Sequence, residues 1–204
     1  MADVCVLGVD PGFASVGYAV LRLESEGETL LRLGVVRTEK AAAKRNVKAS
    51  EDNVSRAREL AEAFQGLLDA HDIRLICAET MSYPRNSASA AKMALCWGVL
   101  AAISQQRGIP IVQATPQEVK KAVTGKKDAS KEEVMAAVRR VHPVLEAPAG
   151  KRPPLLADVA PSLWEHPYDA VASVVACRGS EVFMLARRMA STCAGSTASS
   201  SPAT

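Results

Sequence analysis

The apolar positions along the chain change their spacing several times, and each change marks a new predicted element. A nearly continuous apolar run over residues 4–9 predicts a first strand, which ends at Asp10 before a Pro-Gly turn. Residues 17–21 and 30–36 predict two further strands, and the polar residues 24–28 between them predict a hairpin. We therefore expect the first three strands to form an antiparallel meander.

Helical spacing first appears over residues 54–68, where apolar residues line one face of a predicted amphipathic helix. A short apolar strand over residues 74–78 then ends at Glu79. Residues 87–107 are rich in Ala, Leu and Met on nearly every face, which predicts a central helix covered on most sides, and residues 111–114 predict a fifth strand. The resulting order, β-β-β-α-β-α-β, predicts a single α/β domain.

The last third of the chain begins with a basic segment and continues with two predicted helices. Ser130 and Glu133 stand in capping-box register at the start of the first helix, which Pro143 ends. Residues 148–161 contain four prolines and predict a loop, after which a last helix is expected over residues 167–188. The remaining residues are almost all Ser, Thr, Ala, Pro and Gly, so we predict a folded domain over 1–190 and a disordered tail over 191–204.

Composition and charge narrow the class of protein. With 204 residues, 48% of them hydrophobic and 23% charged, the chain matches an ordinary globular protein. Its net charge is only +3, so attraction to nucleic acid must come from local clusters of Lys and Arg. We recognise no secretory leader, and no segment approaches the ~18 apolar residues of a membrane span, so we expect a cytoplasmic protein without a membrane partner.

Cysteine usage agrees with a reducing compartment. The five cysteines are odd in number and form no Cys-x-x-Cys pair, and we expect them to be small core residues rather than redox or zinc sites. They are Cys5, Cys77, Cys96, Cys177 and Cys193.

Four residues are candidates for metal-dependent chemistry. Asp10 and Glu79 each end a predicted strand, Asp169 lies in the first turn of the last helix, and His166 is three residues before it on a neighbouring helical position. Three carboxylates and one imidazole suit Mg²⁺ or Mn²⁺ better than structural zinc. Two such ions about 4 Å apart activate water for an in-line phosphoryl displacement. A glycosidase with two carboxylates would need neither a His nor a basic cradle.

Basic and aromatic residues supply candidates for nucleic-acid contact. Five lysines fall within twelve residues that contain one acid, Asp128, and they predict a phosphate-contacting segment: Lys120, Lys121, Lys126, Lys127 and Lys131. Arg85 and Asn86 are candidates for contacts with backbone or bases, and Tyr83 for stacking on an unpaired base. A solvated charged face and an ordinary loop turn remain the alternative interpretations of these two segments.

Over about residues 4–185 the sequence resembles the RuvC family of Holliday junction resolvases. The segments that carry the resemblance are residues 8–12 with 17–18, 76–79, 115–125 with Lys131, and 166–170. The resemblance implies a ribonuclease H-like fold, with a mixed five-stranded sheet of three antiparallel and then two parallel strands flanked by helices. It also implies that Asp10, Glu79, His166 and Asp169 hold two Mg²⁺ ions, for which Mn²⁺ substitutes.

The resemblance further implies a function and partners. The family acts as a homodimer on branched DNA and nicks two strands of like polarity in a four-way junction, and a branch-migration motor complex is a further expected partner. Lys120, Lys121 and Lys131 would approach DNA, with Asn86 and Lys92 on the junction side. The family's stacking aromatic, three residues after the catalytic Glu, falls on Ser82, so that Tyr83 is displaced by one position.

Three other functions compete with junction resolution. A ribonuclease H-like nuclease for other branched or flapped DNA would use the same acidic residues. A non-catalytic nucleic-acid-binding module would not need all four candidate ligands. Sugar kinases and actin-like ATPases begin with a similar Gly-x-Asp-x-Gly turn but need two copies of the fold, for which 204 residues are too few.

Overall fold

A computed structural model describes residues 4–41, 47–81, 86–148 and 151–195. Its five strands form one sheet in the order β3-β2-β1-β4-β5. They are β1 (Cys5–Asp10), β2 (Ser15–Leu23), β3 (Glu28–Arg37), β4 (Ile73–Glu79) and β5 (Ile111–Ala114). The first three strands are antiparallel, and β1, β4 and β5 are parallel. The predicted meander and mixed sheet are confirmed.

Six α-helices occur in the described parts of the chain. They are α1 (Ala49–Ala70), α2 (Ser87–Arg107), α3 (Pro116–Thr124), α4 (Lys131–Val141), α5 (Glu165–Cys177) and α6 (Glu181–Gly195). The predicted proline-rich loop contains short 3-10 turns at Pro154–Leu156 and Pro161–Leu163. The helices lie on both faces of the sheet. Successive strand residues point to opposite faces and belong to two separate apolar clusters, one on each side.

Helix α3 was not predicted, because the basic character of its segment concealed a helix start. Thr115 and Glu118 form a capping box: the Thr115 side chain accepts from the Glu118 N–H at 3.3 Å, and the Glu118 carboxylate accepts from the Thr115 N–H at 2.8 Å. Pro116 occupies the first helical turn, where its missing N–H costs nothing. Lys120 and Lys121 are therefore held on a helix, which ends at Gly125 with a φ of 80°.

The single last helix predicted over residues 167–188 is wrong, because the structure contains two helices there. Helix α5 begins two residues earlier, at Glu165, and ends at Cys177. Ser180 starts α6 by accepting a hydrogen bond from the Phe183 N–H at 3.2 Å. Helix α6 continues to Gly195, past the start of the predicted tail at 191, while residues 196–204 lie outside the described residues. The domain division and the disordered tail remain predictions.

The sheet separates two cores. One lies against α5, whose residues Tyr168, Ala170 and Val171 are fully buried, and the other lies against α1 and α2. Cysteine side chains belong to these cores, as predicted, at Cys5, Cys77, Cys96 and Cys177. The side chain of Cys193 lies outside the described part.

Helix α2 is far less covered than its sequence predicts. Its buried residues are Cys96, Leu100 and Ile103, and only 17% of its most apolar stretch is buried. Among the described residues it is also the one helix whose length and composition would allow it to cross a membrane. Such a helix alone is weak evidence of membrane insertion, and its apolar surface requires another explanation.

Two glycines allow α5 to lie directly on the sheet. A Cβ atom at Gly8 would lie 2.2 Å from the carbonyl oxygen of Ala170, and one at Gly17 would lie 2.1 Å from the carbonyl oxygen of His166. Both obstacles are backbone atoms, which cannot rotate away. Gly17 pairs with Asp10 in the β1–β2 register, so this close approach brings α5 to the end of β1.

We expect Gly17→Ala to lower the free energy of unfolding by ~1–3 kcal/mol, because the added methyl group forces α5 away from the sheet. Urea denaturation measures this change. Gly66→Ala in α1 is the matched control, since its Cβ would meet no atom within 4 Å. Replacing a helical glycine there should stabilise the protein by up to ~1 kcal/mol. Unchanged stability of Gly17→Ala would contradict the close packing of α5.

Candidate active site

The ends of two neighbouring parallel strands supply the first two candidate ligands. Asp10 ends β1 and Glu79 ends β4, and the preceding residues Val9 and Ala78 are direct partners in the parallel register. The two carboxylates therefore emerge side by side at one edge of the sheet. Both residues are half-buried.

Helix α5 brings the other two candidates to this edge. His166 lies in its first turn, and Nδ1 of His166 is 2.8 Å from Oδ2 of Asp10. This contact joins residues 156 positions apart in the chain. It also raises the pKa of His166, because the hydrogen bond to Asp10 stabilises the protonated ring. Asp169 follows one helical turn later.

The acidic groups of the site repel one another. Burial and, to a smaller extent, the charge of Asp10 together raise the pKa of Glu79 to about 7. Burial likewise raises the pKa of Asp169 to about 7, with added contributions from Asp10 and Glu79. Three carboxylates therefore share one poorly solvated site, which favours protons or cations there.

The donor set is suited to a hard divalent cation, although the side chains do not form a completed coordination shell. Within the described ranges, no group of three or more His, Cys, Asp or Glu side chains is arranged to hold a metal ion. Asp10 is hydrogen-bonded to His166. Hard oxygen donors and an excess of negative charge are nevertheless the conditions that Mg²⁺ or Mn²⁺ satisfies.

The predicted DNA-contacting lysines divide into two groups. Lys120 lies close enough to Glu79 to lower its pKa, and Lys131 has the same effect on Asp169. Lys121 and Lys127 are exposed. Lys126 is also exposed but forms an ion pair with Glu133, in which Nζ and Oε1 are 2.8 Å apart. Only Lys120 and Lys131 are thus placed where they act on the acidic site.

Glu165 was missed by the sequence reasoning. Its carboxylate lies 2.6 Å from the Lys131 Nζ, and its charge contributes to the raised pKa values of His166 and Asp169. The position of Glu165 directly before His166 was visible in the sequence. Its contact with Lys131 was not, because 34 residues separate the two positions.

The predicted junction-side residues are only partly described. The Asn86 side chain caps α2 by accepting hydrogen bonds from the N–H groups of Ala88 and Ser89 at 2.9 and 3.2 Å. Lys92 is half-buried on α2. Tyr83 and Arg85 lie outside the described residues, so their predicted contacts with DNA remain predictions.

Comparison with known proteins finds one family over most of the chain. A family model described as crossover junction endodeoxyribonuclease RuvC matches residues 6–159. A protein of that name from Pseudothermotoga lettingae is 30% identical over 162 residues, which cover 79% of this chain and 92% of the relative. The match to the family model ends before α5 begins, so it does not include His166 or Asp169.

Two solved structures share the fold. Thermus thermophilus RuvC has a TM-score of 0.63 at 24% identity, covering 84% of this chain and 92% of that one. The same protein in complex with a Holliday junction substrate has a TM-score of 0.62 at 22% identity, covering 84% and 91%. The predicted ribonuclease H-like fold is confirmed. Because the family match extends over most of the chain and the fold agrees with it, this chain belongs to the RuvC family of crossover junction endodeoxyribonucleases.

Proposed function

We propose that this protein resolves four-way DNA junctions by paired, symmetrical, metal-dependent nicks. The observation that carries the proposal is the meeting of Asp10 with His166 at the sheet edge, beside two carboxylates whose pKa values are raised to about 7. Family membership supports endonuclease chemistry, and the structure of T. thermophilus RuvC in complex with a Holliday junction substrate supports a junction as the target.

In this proposal Asp10, Glu79, His166 and Asp169 hold two Mg²⁺ ions, for which Mn²⁺ substitutes. When bound, the ions supply water activation and stabilise the leaving oxygen of the phosphodiester. The protein contributes a site whose charge is unsatisfied without them, since Glu79 and Asp169 hold protons up to a pKa of about 7. Cation binding displaces these protons, so the affinity for metal should increase as the pH rises.

Positive side chains beside the acidic site would guide the DNA phosphate into it. Lys120 and Lys131 are the two lysines whose charges act on Glu79 and Asp169. We assign the other three lysines of the predicted segment, Lys121, Lys126 and Lys127, to phosphates further along the DNA. Tyr83, Arg85, Asn86 and Lys92 remain candidates for contacts on the junction side.

The exposed face of α2 supports a homodimer. A groove of about 630 Å³ lies between α1 and α2. Its lining is almost entirely apolar and is formed by Ala57 of α1 and by residues of α2 that include Ala91, Ala94, Leu95, Gly98 and Ala102. Small residues allow close approach of another helix, and an exposed apolar patch usually marks an interaction site. A second copy related by two-fold symmetry would cover this groove and provide two active sites for a two-fold substrate.

The remaining parts of the proposal concern the cellular setting. Junction resolution requires access to chromosomal DNA, which agrees with a cytoplasmic location. A branch-migration motor complex would supply and move the junctions, and it is the further partner that we propose.

We expect Asp10→Asn, Glu79→Gln and Asp169→Asn each to lower junction cleavage by roughly 100-fold or more, because even the loss of an outer-shell partner of a metal costs 10–100-fold. Binding should persist, since no phosphate contact is removed. The measurements are nicking of a synthetic four-way junction and fluorescence anisotropy without metal. Asp158→Asn, in an exposed loop, is the matched control.

Two outcomes of that assay would contradict the proposal. Full cleavage by one of the three variants would remove that residue from the ligand set. Equal cutting of four-way junctions, flaps and linear duplex by the wild type would favour a general nuclease for branched DNA over a resolvase.

We expect Gly98→Glu to convert a dimer of the 21.6 kDa chain into a monomer, because it places a charge in the apolar groove. Light scattering after gel filtration measures the mass. Gly66→Glu is the matched control, since neither glycine has an atom within 4 Å of an added Cβ. A monomeric wild type, or one that binds lipid vesicles through α2, would contradict the dimer.

The metal-free protein should lose stability as the pH rises from ~4 to about 7. Between the ordinary carboxyl pKa of ~4 and the raised values, the folded state holds protons that the unfolded state has released, so unfolding becomes easier with rising pH. Asp169→Asn should therefore stabilise the metal-free protein at pH 8, by on the order of 1–2 kcal/mol after solvent screening, and much less near pH 4. Urea titrations at both pH values, with chelator present, test this sign, and a destabilised variant at pH 8 would contradict it.

A further inference from the structure

A buried charged cluster lies behind the loop that follows Asp10. Its members are Phe13 in the loop, Thr38 after β3, and Asp52 and Arg56 on α1. Arg56 is 4% exposed and Asp52 is 8% exposed, which is uncommon for charged residues. The predicted functional residues do not include any of the four.

Arg56 is connected to the loop by hydrogen bonds and by its flat face. Its Nε donates to Oγ1 of Thr38 at 2.9 Å, and that hydroxyl donates to the carbonyl oxygen of Phe13 at 2.6 Å. Nη2 of Arg56 also reaches the Phe13 carbonyl at 3.5 Å. The guanidinium carbon lies 4.5 Å from the centroid of the Phe13 ring. Arg56 therefore contacts both the backbone and the side chain of Phe13.

The remaining contacts of the loop leave it little freedom. Four residues, 11–14, separate the end of β1 from the start of β2. A Cβ atom at Gly12 would lie 2.3 Å from the carbonyl oxygen of Ser15, so the turn is tight. Cys96 of α2 lies close enough to the backbone of Gly12 for that backbone to influence the pKa of its thiol, and the Thr38 N–H donates to the carbonyl of Ala14 at 3.1 Å. Displacement of Phe13 would thus be transmitted to Asp10, three residues earlier.

We propose that Arg56 is a positioning residue for catalysis, which holds the 11–14 loop so that the Asp10 carboxylate points toward His166 and the metal site. This proposal rests on the proposed role of Asp10 as a metal ligand. Asp52 supports Arg56 at 3.8 Å and accepts a hydrogen bond from the Ala41 N–H at 2.7 Å, so the buried charge is paired.

Only arginine satisfies all of these contacts. Its planar fork donates to two acceptors while its face lies over an aromatic ring, whereas lysine is a point charge on a flexible stem. An unpaired polar or charged group at this depth would be costly, so the cluster is either complete or strained. Arg56 therefore has the property expected of a positioning residue: it makes rigid contacts with the loop and touches no reacting atom.

The test compares Arg56→Met with Arg58→Met, an exposed arginine two residues away on the same helix. The measurements are single-turnover nicking of a four-way junction with enzyme in excess, its dependence on Mg²⁺ concentration, and junction binding without metal. A misplacement of about 1 Å can cost 10²-fold in rate. We expect Arg56→Met to slow nicking by ~10–100-fold and to raise the half-saturating Mg²⁺ concentration, with binding unchanged. Arg58→Met should behave as the wild type.

If Arg56→Met does not fold, Thr38→Val provides a second test, because it leaves the ion pair between Arg56 and Asp52 in place. It removes the hydroxyl between Arg56 and Phe13 at constant side-chain volume and should slow nicking in the same way, whereas Thr38→Ser should restore it. Wild-type nicking and Mg²⁺ dependence in folded Arg56→Met or in Thr38→Val would overturn the proposal. A loss of rate matched by the unfolded fraction would overturn it as well, since it would show a structural role alone.

Asp10→Asn in the same assays separates the two proposals. If Asp10→Asn nicks normally, the proposed metal site fails. If Asp10→Asn is inactive while Thr38→Val and folded Arg56→Met are fully active, the metal site stands and the role of Arg56 fails.

Discussion

The arrangement of the site depends on the close approach of α5 to the sheet. Where Gly8 and Gly17 lack side chains, the backbone of α5 occupies the space that a Cβ would fill. His166 therefore contacts Asp10 although the two residues are far apart in the chain, and Asp169 follows on the same helix. If the helix lay even a methyl group further out, the two halves of the site would separate, since packed interiors do not deform without cost.

Electrostatic cost follows from the same packing. Glu79 and Asp169 lie with Asp10 in a partly buried site, and burial raises the pKa values of Glu79 and Asp169 to about 7. Lys120 and Lys131 offset part of this repulsion, while Glu165 holds Lys131 at the rim. This concentration of negative charge lowers the stability of the fold, and only cations or protons relieve the repulsion. Such a cluster is the pattern expected of a functional site.

The helices on the other face of the sheet connect this site to the exposed groove. Helix α1 contacts the 11–14 loop through Arg56, and α2 contacts it through Cys96. The neighbouring positions Ala57 and Leu95 line the groove that we propose as the dimer contact. The proposed dimer groove and the 11–14 loop therefore both contact α1 and α2. A packing change at one of them would be transmitted to the other through these helices.

Local sequence patterns determined the order of strands and helices along the chain as far as β5, the antiparallel meander and the four candidate ligands, because strand period, turn residues and strand-end acids are properties of neighbouring residues. They also contained the capping box of α3 and the serine that divides α5 from α6, although the basic and apolar composition of those segments obscured both. Only the tertiary structure decided that α2 leaves an apolar face open, that Glu165 pairs with Lys131, and that Arg56 lies behind Asp10. Each of these facts depends on contacts between residues distant in the chain, and the spacing of residues in a sequence carries no record of which distant surfaces meet.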